Sequence, residues 1–247
     1  MLGGIIAIRE LNTRVVQETG FTCAEEILYS GNFPLLIGPP VLCRRRARSV
    51  EDQVHRMIAS GVGIPVGMKN PTSGDISVML NSIEAAQHSQ DFLFRGWEVR
   101  TTGNPMAHAI LRGYVDSFGN SLPNYHYENL QRLYEAYGKR DLAHPAVVVD
   151  ANHANSGKQY LEQIRIAKDV LQSRRHAADI KGLVKGLMIE SYLEDGCQKI
   201  SDGVYGKSIT DPCLAGKRRN ASSTTWPTSY KFIAGHEKSH PHRMTFF

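Results

Sequence analysis

Between residues 13 and 214 the chain alternates short β-rich runs with longer stretches of helical period, and this alternation restricts the fold more than any other feature. Residues 13–19 (Thr-Arg-Val-Val-Gln-Glu-Thr) are expected as a strand, and residues 51–61 as a helix ended by Gly61. A short strand is expected at 65–69 and a helix with apolar residues at helical spacing at 76–88. Two apolar, strand-like runs lie at 92–94 and 107–111. An amphipathic helix is expected at 127–137, a buried strand at 146–149, a long helix at 158–175 and a final strand at 183–189. Strands alternating with helices imply a parallel sheet with helical crossovers. Apolar strands that end in polar residues fit a barrel whose site lies at the C-terminal strand ends. A doubly wound open sheet is the runner-up. No internal repeat is visible.

The 247 residues suffice for one large domain or two small ones, and a bare eight-stranded barrel of about 250 residues would just fit. With 41% hydrophobic residues the chain has the composition of an ordinary soluble globular protein. No apolar run reaches the roughly 18 residues of a membrane span, and the start Met1-Leu2-Gly3-Gly4 has no signal-peptide pattern. Cys23, Cys43, Cys197 and Cys213 show no CxxC spacing, which fits reduced thiols in a cytoplasmic protein better than a disulfide or zinc framework. The net charge of +5 would suit nucleic acid. The charge is local, however. After Leu214 six Lys and Arg face one Glu, and Arg44-Arg45-Arg46 add three more positive charges, so the rest of the chain is acidic. Nucleic acid is therefore rejected as a partner. Residues 215–247 have no amphipathic period and read as a disordered basic tail.

The strand ends carry the chemistry. The run 146–149 leads into Asp150-Ala151-Asn152-His153-Ala154-Asn155-Ser156-Gly157-Lys158, the last strand into Glu190-Ser191-Tyr192, and a glycine-containing loop into Tyr205-Gly206-Lys207-Ser208-Ile209-Thr210-Asp211-Pro212-Cys213. In a barrel His153, Glu190 and Asp211 would converge at its mouth, and one imidazole with two carboxylates suits Mn²⁺, Fe²⁺, Co²⁺ or Zn²⁺. A capping histidine with two solvated carboxylates fits the spacing as well. Lys69, Arg48 and Arg112 also close apolar runs. Singly each suits a rim salt bridge; together, beside the acidic set, they suit a phosphate- or carboxylate-bearing substrate. Gly206-Lys207-Ser208 lacks the first glycine of a P-loop and is not read as a nucleotide site.

As a group these motifs resemble class I DAHP synthase (3-deoxy-D-arabino-heptulosonate 7-phosphate synthase, or 3-deoxy-7-phosphoheptulonate synthase). The likeness covers roughly residues 5–36 and 47–214. It is carried by Ala47-Arg48-Ser49-Val50-Glu51-Asp52-Gln53, by 65–75, by Arg95-Gly96-Trp97-Glu98, and by 108–113, 150–158 and 205–213. The resemblance implies an α/β fold of the (β/α)8 TIM-barrel type and metal-dependent, aldol-like condensation of phosphoenolpyruvate with erythrose 4-phosphate, the first step of the shikimate route to aromatic amino acids. It implies His153, Glu190 and Asp211 as three of four metal ligands. Lys69, Arg48 and Arg112 become residues that hold phosphoenolpyruvate, with Lys69 also catalytic, and Glu26 a site glutamate at the end of the third strand. It further implies a cytoplasmic, homo-oligomeric parent enzyme. The related synthase that uses arabinose 5-phosphate fits Arg95-Gly96-Trp97-Glu98 and residues 205–213 less well.

Three departures follow from the same resemblance. The family pattern begins upstream of Met1, so the barrel is expected to be incomplete, lacking the first two strands together with a Gly-Pro-Cys-Ser motif whose Cys is the fourth ligand. Residues 35–40 imitate that first strand but have Pro40 in place of the Cys. Residues 39–46 replace the fourth strand. Encoded as CCT CCT GTC CTA TGT CGC CGT CGG and read one nucleotide later, they give Leu-Leu-Ser-Tyr-Val-Ala-Val, which is the expected strand. Residues 215–230, suitably encoded and shifted by two, give Trp-Glu-Glu-Thr-Glu-Arg-Leu-Ile-Tyr-Asp-Met-Ala-Asp-Ile-Val, a fitting last helix. The expectation is thus a partial barrel over 1–214 with 37–46 off-frame, an off-frame tail over 215–247, poor solubility, weak metal binding and little activity. A non-catalytic remnant or a gene-model error is the alternative.

Overall fold

The computed structural model describes residues 2–20, 22–27, 43–47, 53–94, 96–216 and 245–246. The first half runs α1 (Leu2–Thr19), β1 (Cys23–Ile27), β2 (Cys43–Ala47), α2 (Gln53–Ser60), β3 (Val66–Lys69), α3 (Ile76–Gln87), β4 (Asp91–Phe94), β5 (Trp97–Arg100) and β6 (His108–Leu111). There follow β7 (Tyr114–Val115), β8 (Ser121–Leu122), α4 (Tyr127–Gly138), β9 (Val147–Asp150), α5 (His153–Ser156), α6 (Glu162–His176), α7 (Ala178–Leu183) and β10 (Val184–Met188). The remainder holds β11 (Ser191–Tyr192), a 3₁₀ turn (Ile200–Asp202), β12 (Leu214–Ala215) and β13 (Thr245–Phe246). Among the described residues no helix is long and apolar enough to cross a membrane.

The principal sheet has seven parallel strands in the order β1-β2-β3-β6-β9-β10-β13. Strand order follows chain order throughout, without the reversal that marks a doubly wound sheet. The α/β class with a parallel sheet therefore agrees with the sequence. The reason lies in strands such as Val147-Val148-Val149, β-branched and buried on both faces, which only a sheet covered on both sides accommodates. Cys43–Ala47 takes the position between β1 and β3 despite its three arginines. Thr245–Phe246 adds a strand beyond β10, inside the segment expected as a tail.

Alternation along the strands sorts their side chains onto two faces. On one face Val66, Met68, Ala109, Leu111, Val147, Val149 and Leu187 pack against Met79, Leu80 and Ile83 of α3, Leu130 and Leu133 of α4, and Ile166 and Val170 of α6, all nearly inaccessible. On the other face Ile110, Val148 and Met188 form a small apolar cluster. Gly67 and Lys69 of β3 and Asp150 of β9 share that second face by the same alternation, with Lys69 and Asp150 at the C-terminal strand ends.

Two elements correct the sequence reading. Residues 13–19 are not a strand but the last turns of α1. The β-branched pair Val15-Val16 suggested a strand only because the window was short. Over the whole run, residues 5, 8, 11 and 15 follow helical spacing, Arg14 and Glu18 pair at 3.2 Å one turn apart, and Gly20 donates to the Val16 carbonyl. The run 92–94 is a strand, as expected, but it lies outside the parallel sheet. It belongs to the antiparallel hairpin of β4 and β5, which leaves Leu93 and Trp97 exposed and is tied by Arg100 to both carboxylate oxygens of Asp91 at 2.7 and 2.9 Å.

Helix α3, which backs β3, starts at an N-cap of favoured type. The Asp75 carboxylate accepts from the Ser77 and Val78 amides at 2.8 and 3.3 Å and from the Ser77 hydroxyl at 2.6 Å. Asp75→Ala is expected to cost about 1 kcal/mol in chemical unfolding, the usual loss of such a cap. The bond from Ser77 and the Val78 amide hold the Asp75 pKa below its ordinary value. The stabilisation is therefore full at neutral pH and lost as pH falls through that lowered value, so the wild-type and variant unfolding curves should converge in acid.

Candidate functional site

At the C-terminal ends of β1, β3 and β9 a chain of alternating charges crosses the face opposite the helices. The Lys69 ammonium, only 4% exposed, lies 3.6 Å from Glu26 Oε1 and 3.7 Å from Asp150 Oδ2. Asp150 is wholly buried, and the same Oδ2 lies 2.8 Å from His153 Nδ1, a short contact whose angle departs from a linear hydrogen bond. The other imidazole nitrogen, Nε2, faces Asp211 Oδ2 at 3.4 Å, and Asp211 Oδ1 meets Lys158 Nζ at 3.0 Å. Burial alone would raise the Asp150 pKa. The short contact with His153, then the charges of His153 and Lys69, outweigh burial and hold it below the ordinary value.

The loop after β9 aims these groups. His153 has φ 49° and Lys158 φ 60°, left-handed conformations that cost a non-glycine residue of order 1–3 kcal/mol. Side chains within the loop offset that cost. Asn152 donates its backbone N–H to Asp150 Oδ1 at 3.0 Å and its side-chain amide to the Pro212 carbonyl at 3.3 Å, while Ser156 Oγ donates to Asn152 Oδ1 at 2.9 Å. Asn152 thereby ties the His153 loop to the segment that carries Asp211.

Glu190 follows β10. Gln163 of α6, fully buried, accepts the Glu190 N–H at 2.8 Å and donates to its carbonyl at 3.1 Å, fixing the backbone on both sides. The pairing of β11 with β12 then brings the Asp211 segment alongside. His153, Glu190 and Asp211 each offer a ligand atom, and these three atoms lie within 4.8 Å of one another. Burial raises the Glu190 pKa, and the charges of Asp150 and Asp211 add to the rise. Asp211 differs: burial would raise it, but the Lys158 bond and the charges of His153, Lys158 and Arg112 bring it below the ordinary value.

A buried amide network sets the spacing of these strand ends. Asn70, directly after Lys69, donates to the Gly113 carbonyl at 2.9 Å and accepts from the Arg112 N–H at 2.9 Å and the Asn124 side chain at 3.1 Å. Asn124 accepts the Gly113 N–H at 2.8 Å, and its own N–H bonds Asn155 Oδ1 at 2.9 Å. Asn155 donates to the carbonyls of Leu111 at 3.1 Å and Asp150 at 2.7 Å. The termini of β3, β6 and β9 are thus pinned by side chains that answer otherwise orphaned backbone groups.

Of the residues singled out from sequence, Glu26, Lys69, His153, Glu190 and Asp211 meet in this cluster, and Arg112 is near enough to act on the Asp211 charge. Arg48 lies outside the described residues. Asp150, Asn70, Asn124, Asn155 and Gln163 were given no role from sequence. The available signal was a polar residue directly following an apolar run, which Asp150 displays.

The model of the DAHP synthetase I family matches residues 13–223. The Trp-sensitive phospho-2-dehydro-3-deoxyheptonate aldolase of Enterobacter agglomerans is 36% identical over 206 residues, 80% of this chain and 53% of its own length. The phospho-2-dehydro-3-deoxyheptonate aldolase of Corynebacterium glutamicum is 35% identical over 183 residues, 68% of this chain and 47% of its own. The structure of the phospho-2-dehydro-3-deoxyheptonate aldolase from Francisella tularensis SCHU S4 matches with a TM-score of 0.76 at 30% identity, covering 89% of this chain and 63% of that one. The chain spans about half the length of the curated relatives it matches.

Proposed function

The chain belongs to the DAHP synthetase I family, and from that premise we propose that its strand-end cluster holds phosphoenolpyruvate beside a divalent metal for condensation with erythrose 4-phosphate. The observation that carries this reading is the buried Asp150 carboxylate, which joins the cation Lys69 to the three-donor group of His153, Glu190 and Asp211. In the same reading β1, β2, β3, β6, β9 and β10 are the third to eighth strands of a (β/α)8 barrel. Their unreversed parallel order and the position of the cluster at the C-terminal strand ends support it. The proposal extends to a homo-oligomeric enzyme of the cytoplasm, as the family resemblance implies.

The donor set fits a divalent ion. One imidazole nitrogen and two carboxylate oxygens converge, and burial, with the charges of Asp150 and Asp211, raises the Glu190 pKa, a penalty that a bound cation would relieve. His153, Glu190 and Asp211 would hold it, and a bound ion of this kind supplies Lewis-acid polarisation of an aldehyde oxygen. Lys69 and Arg112, with Arg48, hold the phosphate and carboxylate of phosphoenolpyruvate and balance the charge that shifts as its methylene carbon bonds to the aldehyde carbon. Water then adds to the former enol carbon and inorganic phosphate leaves. Because Lys69 is nearly inaccessible, its charge is poorly screened and acts strongly at short range.

Calorimetry on the purified chain tests the reading. One Mn²⁺ per chain and saturable binding of phosphoenolpyruvate are expected; a folded chain that binds neither ends the proposal. The reaction itself is tested by phosphate release from phosphoenolpyruvate in the presence of erythrose 4-phosphate, of which this chain is expected to give little.

A further inference from the structure

We propose that Asp150 is a positioning residue, whose carboxylate holds the His153 imidazole with its proton on Nδ1 and its Nε2 turned to Glu190 and Asp211, while anchoring Lys69 through the same oxygen. This rests on reading His153, Glu190 and Asp211 as metal donors. A neutral imidazole carries one proton, and the nitrogen that bears it cannot ligate a metal. Which nitrogen is free is set by the partner of the other, and a carboxylate beside Nδ1 selects the Nδ1–H form.

The geometry leaves Asp150 little freedom to do otherwise. Its residue is wholly buried at the end of β9. Oδ1 is taken by the Asn152 N–H at 3.0 Å, which turns Oδ2 towards His153 Nδ1 at 2.8 Å and Lys69 Nζ at 3.7 Å. Among the described residues neither His153 Nδ1 nor Asp150 Oδ2 makes a well-angled hydrogen bond to any group, and the two face each other at 2.8 Å. The Asp150 main-chain carbonyl is held by Asn155 at 2.7 Å and the Ala151 N–H by the Met188 carbonyl at 2.9 Å, so the strand end is fixed on both sides. One oxygen therefore serves the metal-facing and the anion-facing halves of the cluster together, and loss of its charge should weaken both.

Asp150→Asn keeps the shape and the bond from Asn152 but removes the charge. Two-bond ¹H–¹⁵N spectra of ¹⁵N-histidine-labelled chain at pH 8, with His153 assigned by its loss in His153→Asn, read the tautomer directly. The wild-type chain is expected in the Nδ1–H form and Asp150→Asn in a mixture. Mn²⁺ affinity by calorimetry should fall about 10–100-fold, the usual effect of removing a partner of a metal-binding histidine. Asp75→Ala, which removes the helix N-cap behind β3 without touching the cluster, should lower the unfolding midpoint and leave the tautomer unchanged. An Nε2–H tautomer in the wild-type chain overturns the proposal even if Asp150→Asn does not fold. A folded Asp150→Asn chain that binds Mn²⁺ within twofold of wild type overturns it too. A wild-type chain with the expected tautomer but no Mn²⁺ affinity would instead refute the metal reading on which the proposal stands.

Discussion

Lys69→Met should unfold at markedly lower denaturant, with a loss near the lower end of the 3–5 kcal/mol that follows when one partner of a buried ion pair is removed. Lys69 is 4% exposed and Asp150 0%, so methionine would fill the space but leave a fully buried carboxylate with the Asn152 N–H and His153 as its remaining close partners. The lower end applies because the ammonium lies 3.6–3.7 Å from its two carboxylates, longer than a direct hydrogen bond, and because the Glu26 side chain is 39% exposed and can turn to water. The same variant should bind phosphoenolpyruvate roughly 10–100-fold more weakly, since a bond to a charged phosphate is worth about 1.5–3 kcal/mol. A double-mutant cycle separates charge from packing. If the cost comes from stranding Asp150, Lys69→Met combined with Asp150→Asn will lose less stability than the sum of the single variants. Strict additivity would mean that the loss does not come from stranding Asp150.

What could be read from the chain beforehand divides along a physical line. Strands buried on both faces, such as Val147-Val148-Val149, are apolar irrespective of their partners and were legible. So was the grouping of His153, Glu190 and Asp211, whose ligand atoms the structure brings within 4.8 Å, because polar residues that follow the strands of a parallel sheet gather at one end of it. The α1 error arose where β-branched residues sit in a helix, since a window of seven residues cannot show a period that eighteen display. The β4–β5 hairpin was misplaced because local apolarity does not distinguish a strand of the main sheet from one that folds back on its neighbour. Asn70, Asn124, Asn155 and Gln163 were invisible for a deeper reason. An amide in a turn usually bonds to its own neighbours or to water, and only the fold brings partners up to 54 residues away within reach. Asp150 was in view within the 150–158 motif, but its burial, which makes it consequential, is a property of the assembled sheet.

That dependence on assembly makes Gly113→Ala the most disruptive small substitution expected in the site. Gly113 has φ +72°, and an added Cβ would stand 2.5 Å from the Asn155 nitrogen, 2.6 Å from the Ala154 carbonyl carbon and 2.9 Å from the Leu122 oxygen. All three are backbone atoms, so no side-chain rotation relieves the clash. The left-handed conformation costs alanine about 1–2 kcal/mol, and forced displacement of a packed backbone adds about 1–3 kcal/mol. Two of the three atoms belong to the loop that carries His153, while the Gly113 N–H and carbonyl are held by Asn124 and Asn70. Strain at this one Cβ therefore reaches Arg112, His153 and the amide network together. Gly119→Ala is the matched control, since Gly119 also has positive φ (+85°) but no atom lies within 4 Å of its added Cβ. Gly119→Ala should show the conformational cost alone and keep Mn²⁺ binding. Gly113→Ala should lose several kcal/mol in chemical unfolding and bind Mn²⁺ more weakly at temperatures where it is still folded. Equal unfolding midpoints for the two variants would show that the 150–158 loop can yield, and that the amide network does not hold the site rigid.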